Sequence, residues 1–274
     1  MKSVCIFVHF GHNQQLPYPE VTYVRELDRY FSEIILVTNQ RKFDMANLPA
    51  TVSLKMVENE GYDFGMFFKV ARELDWESLD RLALANDSNL MIQSLAKLFE
   101  RGEKSGTPFW GAIDSHEKPL FSTHADNYHL QSHFLVWEKP VLPLLKRYLA
   151  QVPIQDFFGE KNAKNIRRKV INDWEIGVSQ YFLKNKIKLG AAFGSEELYA
   201  TSSKKIEPKA NSTIKNPEGL LQVGYPFLKK RVVTKQGFLT RIFFPKKKWE
   251  SLVRAYSFDA EHAKQIILSI KKNK

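Results

Sequence analysis

Only one cysteine occurs among the 274 residues, Cys5, so no internal disulfide can form. Its apolar neighbours Val4, Ile6, Phe7 and Val8 mark it as a buried, inert thiol. Long apolar runs are also lacking: stretches such as Val4 to Phe10 and Phe134 to Trp137 fall well short of the roughly 18 to 20 residues that span a bilayer, so no transmembrane helix is expected. Met1-Lys2-Ser3 leads directly into a strand pattern, without the apolar region and small-residue cleavage site of a secretory signal, and the expected location is the cytoplasm. There is no internal repeat, no glycine-rich P-loop signature and no Cys/His cluster for structural zinc. What is present, 43% hydrophobic residues, suffices for a continuous core in one large α/β domain or two small ones and excludes a disordered or fibrous chain.

Acidic residues are scarce in the last quarter. Residues 201–274 hold 17 Lys and Arg against 5 Asp and Glu, whereas residues 1–200 hold 24 against 25, so the formal charge of +11 belongs to the C-terminal end. There it is interleaved with aromatics, in Phe227-Leu228-Lys229-Lys230-Arg231 and from Arg241 to Trp249. Such a pattern suits peripheral contact with an anionic membrane, nucleic acid, or simply a solvated basic face. Trp249, Leu252, Val253 and Tyr256, then Ala263, Ile266, Ile267 and Ile270, form helical stripes that pack on the core or dock on a membrane. The chain accordingly divides into residues 1–240 and a basic amphipathic helical segment, 241–274.

Alternating strands and helices fill the first half. Val4 to Phe10, Ile34 to Thr38, Val52 to Val57 and Leu82 to Ala85 read as strands, with helices at Glu20 to Phe31, Phe64 to Leu74 and Leu90 to Glu100. This order implies a parallel sheet. Phe109 to Ile113 and Tyr128 to Trp137 follow as strands with antiparallel character, then helices at Pro140 to Gln151 and Asp173 to Lys184; Asp156 to Asn165 and Thr201 to Pro217 read as loops, the second a candidate lid. Ligands of such sheets bind at the carboxyl ends of the strands. Polar residues collect there: His9, Thr38-Asn39, Asn59 to Gly65, and Asn86-Asp87-Ser88-Asn89. Asp63 and Asp87-Ser88 each also fit ordinary helix caps. Taken together, the four strand ends indicate a shared cleft whose helix N-termini would favour a diphosphate.

Several separated blocks resemble the rhamnan synthesis F family of polysaccharide glycosyltransferases. Asn59-x-Gly61-x-Asp63-x-Gly65 is similar to its N-x-G-x-D-x-G segment, and Asn86-Asp87-Ser88 to its N-D-S motif. His129-Leu130-Gln131-Ser132-His133-Phe134 resembles its H-x-Q-S-x-F strand, Trp174-Glu175-Ile176-Gly177-Val178-Ser179 its aromatic-Glu-x-Gly helix start, and Asn216-Pro217 with Tyr225 to Lys229 its closing blocks. The resemblance covers residues 59–231. It implies a GT-A-like nucleotide-diphospho-sugar transferase fold, with a mixed, mostly parallel sheet flanked by helices; the basic helical extension lies outside the resemblance and is read from its charge and apolar stripes alone. The resemblance further implies an inverting hexosyltransferase that moves a sugar such as rhamnose from a nucleotide-diphosphate donor to a lipid-linked or cell-surface glycan, as in O-antigen synthesis at the cell envelope.

Their position at the strand ends places His9 and Thr38 in the donor site; the resemblance adds donor binding at Asn59, Gly61, Asp63, Gly65, Asn86, Asp87, Ser88 and Lys229, and acceptor binding at His129, Gln131 and Ser132. Asp87 becomes the Mg²⁺ or Mn²⁺ ligand, Glu175 the general base and Asp173 its competitor. Asn86-Asp87-Ser88 carries one carboxylate where a D-x-D site has two, and Lys229, Lys230 or Arg231 are alternative sources of positive charge. A nucleotide-sugar-binding subunit without turnover is the second reading and a basic nucleic-acid-binding protein the third, although the latter leaves the nearly neutral first 200 residues unexplained.

Overall fold

The computed structural model describes residues 1–201, 211–234 and 246–272. Its centre is an eight-stranded sheet. Strands β1 (Ser3–His9), β2 (Glu33–Thr38), β3 (Val52–Met56) and β4 (Arg81–Asn86) are mutually parallel in the order β3-β2-β1-β4. After the short β5 (Asn89–Met91), β6 (Phe109–Ser115), β7 (His129–Leu130), β8 (Phe134–Glu138) and β9 (Leu189–Phe193) complete the set. β8 lies antiparallel between β4 and β6, while β7 and β9 both pair with β6, β9 in parallel. The mixed, mostly parallel sheet flanked by helices is the expected fold class.

Period-two alternation explains the two cores. Val4, Ile6 and Val8 point to one face of β1 and pack with Phe64, Phe67, Trp137 and Trp174; Cys5 and Phe7 point to the other and pack with Tyr23, Val24 and Phe99. Helices α1 (Tyr18–Leu27) and α2 (Tyr62–Ala71) supply the apolar stripes that cover these faces. Buried Cys5 has its thiol pKa pushed far up by desolvation, in line with an inert role.

Several expectations need correction. Leu90 begins no helix: residues 89–91 form β5, which pairs antiparallel with β10 (Phe227–Lys229), and the helix α3 (Ala96–Lys104) starts only at Ala96. That partner is remote in sequence, so local periodicity could not show it. The strand expected from Tyr128 to Trp137 is two strands separated by a turn at Ser132-His133. Beyond α4 (Leu142–Gln151), Asp156 to Asn165 is only partly a loop, because Phe157 buries against Phe64 and sets helix α5 (Ile154–Phe158), and Asn162 caps α6 (Ala163–Lys169) by accepting from Lys164 N and Asn165 N. Finally, Glu175 does not open a helix: α6 continues through a π-helical segment, Val170–Ile176, into α7 (Gly177–Lys184). Such segments recur at functional sites.

The C-terminal stripes pack on protein. Trp249, Leu252, Val253, Ala263, Ile266, Ile267 and Ile270, from helices Lys246–Tyr256 and Ala260–Lys272, bury against Leu90, Ile92, Leu221, Leu228, Val232 and Val233. No helix among the described residues is long and apolar enough to cross a membrane. Of the loop and lid expected from Thr201 to Pro217, residues 202–210 lie outside the described residues, and the described part is not a loop: Ser212–Lys215 form a short helix and Pro217 opens another, Pro217–Gln222, with Asn216 accepting from Gly219 N. Residues 241–245, where the basic stretch to Trp249 begins, also lie outside.

Candidate functional site

Register alone brings the first two groups together. Val8 pairs with Asn86 across β1 and β4, and Asp87 N donates to Val8 O at 3.1 Å, which sets Asp87 beside His9 at the carboxyl end of the sheet. His9 Nδ1 donates to Asp87 Oδ2 at 2.9 Å. From the other side, β10 runs along β5 and Lys230 N donates to Ser88 O at 3.0 Å, so Lys230 Nζ reaches within 3.5 Å of Asp87 Oδ2 and 2.5 Å of Glu20 Oε1. Burial would raise the Asp87 pKa, but the His9 hydrogen bond and the Lys230 charge outweigh it and hold the carboxyl below its ordinary value. For Lys230 burial works downward, and the carboxylates of Asp87 and Glu20 turn the net direction upward. Three atoms here are buried without a hydrogen-bond partner: His9 Nε2, Glu20 Oε2 and Asn89 Oδ1. Buried polar atoms of this kind call for an occupant, whether water or ligand.

A second group adjoins it through Asn86, whose Nδ2 donates to Asp63 Oδ2 at 2.5 Å while its Oδ1 accepts from Ser88 Oγ at 2.6 Å and Ser88 N at 3.1 Å. Packing of neighbouring aromatics explains how Asp63 comes near Glu175: Phe64, next to Asp63, stacks on Trp174, next to Glu175, with ring centroids 4.4 Å apart. Glu175 Oε1 in turn accepts from Ser132 N at 3.3 Å and Ser132 Oγ at 3.2 Å, so the turn that breaks the β7–β8 strand is what aims Ser132 at this carboxylate. The glycines of the first block have local work to do. Gly61 sits at φ 77° as the residue before α2, and a Cβ on Gly65 would fall 1.5 Å from Glu60 O. The cap of α2 is therefore Gly61 and not Asp63, and Asp87 precedes a strand rather than a helix, so capping accounts for neither carboxylate.

Desolvation foremost, with the negative charge of Glu175 next, raises the Asp63 pKa to about 6, against opposing hydrogen bonds from Phe64 N and Asn86. The sign of the linkage follows: a carboxyl with a raised folded pKa favours the protonated fold, so its contribution is full below its unfolded value and is lost as pH rises through the folded one. Lowering pH from 7 toward 4 is expected to stabilise the parent relative to Asp63→Asn by about 1–3 kcal/mol; the offset between the two at pH 7 also contains the hydrogen bond that the amide loses, since both Asp63 oxygens accept, from Phe64 N and Asn86 Nδ2. Urea midpoints measured across that range check it; a parent that loses stability relative to the variant on acidification would contradict the assignment.

Other expected residues lie further out. His129 Nδ1 donates locally to Asn127 O at 2.7 Å, and Gln131 Nε2 donates to Asn211 Oδ1 at 3.4 Å. His133, held neutral by burial and by Lys229 with a pKa near 3, accepts from Tyr225 Oη at 2.8 Å and so ties the third sequence block to the fifth. Lys229 is partly buried next to Glu175; burial chiefly, with Arg231 and Arg167, lowers its pKa against the upward pull of Glu175 and Glu117. The Asp173 carboxylate accepts from Asn172 Nδ2, and its carbonyl accepts from Tyr148. Thr38 is buried, with Oγ1 accepting from Gln40 N at 3.3 Å, and Asn59 is exposed.

Two features escaped sequence reading. Glu20 reads simply as the start of a helix, and only the fold reveals its pairing with Lys230. A cavity of about 600 Å³ opens beside His12 to Pro17 and Asp44, in the loop that leaves β1. The structure also bears on Asp87 as metal ligand. Its Oδ2 already serves His9 and the Lys230 ammonium, and among the described residues no three His, Cys, Asp or Glu side chains converge to hold an ion. One or two carboxylates with substrate phosphates can hold a divalent cation, so the number of protein ligands does not decide the matter; the Lys230 ammonium 3.5 Å from Asp87 Oδ2 does, since it already meets that charge and a donor set with an ammonium in it does not fit a cation there.

Comparison with known proteins sets this geometry in context. A solved structure of a putative glucose-1-phosphate thymidylyltransferase from Bacillus anthracis, in complex with sucrose, is similar at 10% identity and TM-score 0.44, over 70% of this chain and 87% of that one. A 4-diphosphocytidyl-2C-methyl-D-erythritol synthase from Anaerococcus prevotii is similar at 12% identity and TM-score 0.42, over 75% and 94%. At these scores the likeness carries no functional weight. No curated protein matches the chain. The profile described as Rhamnan synthesis protein F matches residues 36–249, wider on both sides than the motif blocks; it takes in the end of β2, the site apart from His9 and Glu20, and the start of the C-terminal helices. With most of its length matched, the chain belongs to the rhamnan synthesis protein F family.

Proposed function

We propose that this protein is a glycosyltransferase that moves a hexose, such as rhamnose, from a nucleotide-diphosphate donor to a growing glycan. The observation that carries this reading is the convergence of Asp63, Asn86, Asp87, Glu175 and Lys230, from four distant stretches of sequence, at the carboxyl end of β1 and β4. Family membership supports a role in polysaccharide synthesis. In this reading residues 1–240 are the transfer unit, and the nucleoside occupies the cavity beside residues 12–17.

The chemistry follows from the side chains. Cleavage of the donor places negative charge on the leaving diphosphate, which must be met by fixed positive charge in a partly dry site. Lys230 is already neutralised by Asp87 and Glu20 and serves to hold that corner in place, whereas Lys229, flanked by Arg231, is the ammonium near Glu175. Glu175, oriented by the two Ser132 donors, takes the proton from the acceptor hydroxyl as it attacks the anomeric carbon from the face opposite the diphosphate. One oxygen–hydrogen bond breaks as the new glycosidic bond forms, and the electron pair of the old one leaves with the diphosphate. His129, Gln131 and Ser132 line the acceptor side in this reading. No step is assigned to a divalent cation, because the donor set does not fit one.

The single carboxylate in Asn86-Asp87-Ser88 favours one alternative, a subunit that binds nucleotide sugar without turning it over. Incubating the protein with a panel of nucleotide sugars and lipid-extracted acceptor, then measuring release of nucleoside diphosphate, separates the two. Release from one donor that requires the acceptor supports transfer. Saturable donor binding with no release, in any acceptor fraction, supports the binding subunit.

A further inference from the structure

We propose that the loop from His116 to Tyr128, together with helix α6 beside it, is a docking surface for an anionic lipid bilayer. Leu120 stands at the tip of this loop with its side chain wholly in solvent, at 106% relative exposure. A lone exposed leucine is ordinary on a protein surface; one held outward on a fixed loop beside a basic helix is not. The loop is fastened at its base. Thr123 N and Oγ1 donate to Asn172 Oδ1 at 2.9 and 3.2 Å, His124 Nε2 donates to Asn172 O at 2.9 Å, and Asn127 Nδ2 donates to His124 O at 3.1 Å. Next to Leu120, the Phe121 ring lies 5.7 Å from the Arg168 guanidinium, which joins the loop to α6.

The charge of this surface is one-sided. Residues 116–126 and 160–169 hold six Lys and Arg, namely Lys118, Lys161, Lys164, Arg167, Arg168 and Lys169, against the three carboxylates Glu117, Asp126 and Glu160. Each of those carboxylates accepts a hydrogen bond, from Asn211 Nδ2, Tyr128 N and Asn162 N respectively, and among the described residues none pairs with Lys164, Arg167 or Arg168, all of which are exposed. Basic side chains around an aliphatic tip match the headgroup layer of an anionic membrane, where each Lys or Arg adds attraction and the tip enters the acyl boundary. A nucleic acid or acidic glycan would use the charges but give the leucine no apolar partner. Because α6 runs without interruption into the segment bearing Glu175, docking here would hold the candidate site at a fixed distance from the bilayer, where a lipid-linked acceptor would lie. The C-terminal apolar stripes, by contrast, are already buried against the protein.

The test uses the full chain and vesicles, without any nucleotide sugar, so its failure is distinct from failure of the transferase reading. The protein is expected to float with phosphatidylcholine vesicles containing phosphatidylglycerol and not with phosphatidylcholine alone. Leu120→Cys, labelled with an environment-sensitive dye while Cys5 stays buried, should brighten and shift to the blue on those vesicles. Arg167→Gln and Arg168→Gln should each weaken partitioning about fivefold. A variant with Lys246, Lys247 and Lys248 all changed to Gln serves as the comparison and should retain most of the binding. The proposal is overturned if no vesicle binds, if the dye stays silent while the triple lysine variant loses all binding, or if an anionic polymer binds and vesicles do not.

Discussion

Glu175→Gln is expected to lower sugar transfer by about 10²–10⁴-fold while leaving donor affinity nearly unchanged, because the amide keeps the shape of the carboxylate but cannot take a proton. Ser132 N and Oγ can still donate to its carbonyl oxygen, so the orientation of the side chain survives and the loss is confined to proton transfer. In kinetic terms kcat falls and KM holds. Asp173→Asn is the informative companion, since Asp173 sits two residues earlier on the same π-helical segment but engages Asn172 and Tyr148. If Asp173→Asn abolished turnover and Glu175→Gln did not, the roles assigned to the two carboxylates would be exchanged.

Trp174→Ala should be the most destabilising single change near the site, by about 3–5 kcal/mol in chemical unfolding. Its side chain is wholly buried and stacks on Phe64, with Phe67, Trp137 and Tyr148 at ring distances of 5.4, 6.2 and 6.2 Å. Because Trp174 Nε1 has no hydrogen-bond partner, Trp174→Phe should cost much less, losing volume but no polar contact. The same stack links Asp63 to Glu175, so the alanine variant should also loosen donor binding in whatever fraction stays folded. A loss below about 1 kcal/mol for Trp174→Ala would show that this aromatic wall is not what ties α2 to the π-helical segment.

Much of the scaffold was legible in the sequence because its signals are local. The apolar runs of β1, β2 and β4 and the stripes of α1 and α2 each sit within a few residues of where periodicity puts them. The sheet's carboxyl edge followed from the same pattern, and with it the neighbourhood of His9, Asn86 and Asp87. What could not be read was decided by remote partners. β5 exists because Phe227 to Lys229 pair with it, the break at Ser132-His133 turns Ser132 toward Glu175, and Lys230 joins the site only once β10 lies on β5. The closing block offers Lys229, Lys230 and Arg231 without choosing among them; the geometry pairs Lys230 with Asp87 and adds Glu20, which carries no short-range signal. The glycines illustrate the opposite limit, since Gly61 and Gly65 are explained by a positive φ and by contact with Glu60 O without any ligand.

The most direct test of a donor site built on Asp87 is calorimetric titration of the intact protein with nucleoside diphosphates and nucleotide sugars, in parallel with Asp87→Asn, each with and without Mn²⁺. The account predicts saturable binding of one nucleotide family, largely independent of Mn²⁺, and at least about tenfold weaker binding in the variant, as expected when about 1.4 kcal/mol of interaction is lost. Absence of binding to every nucleotide, or equal affinity in parent and variant, would contradict it.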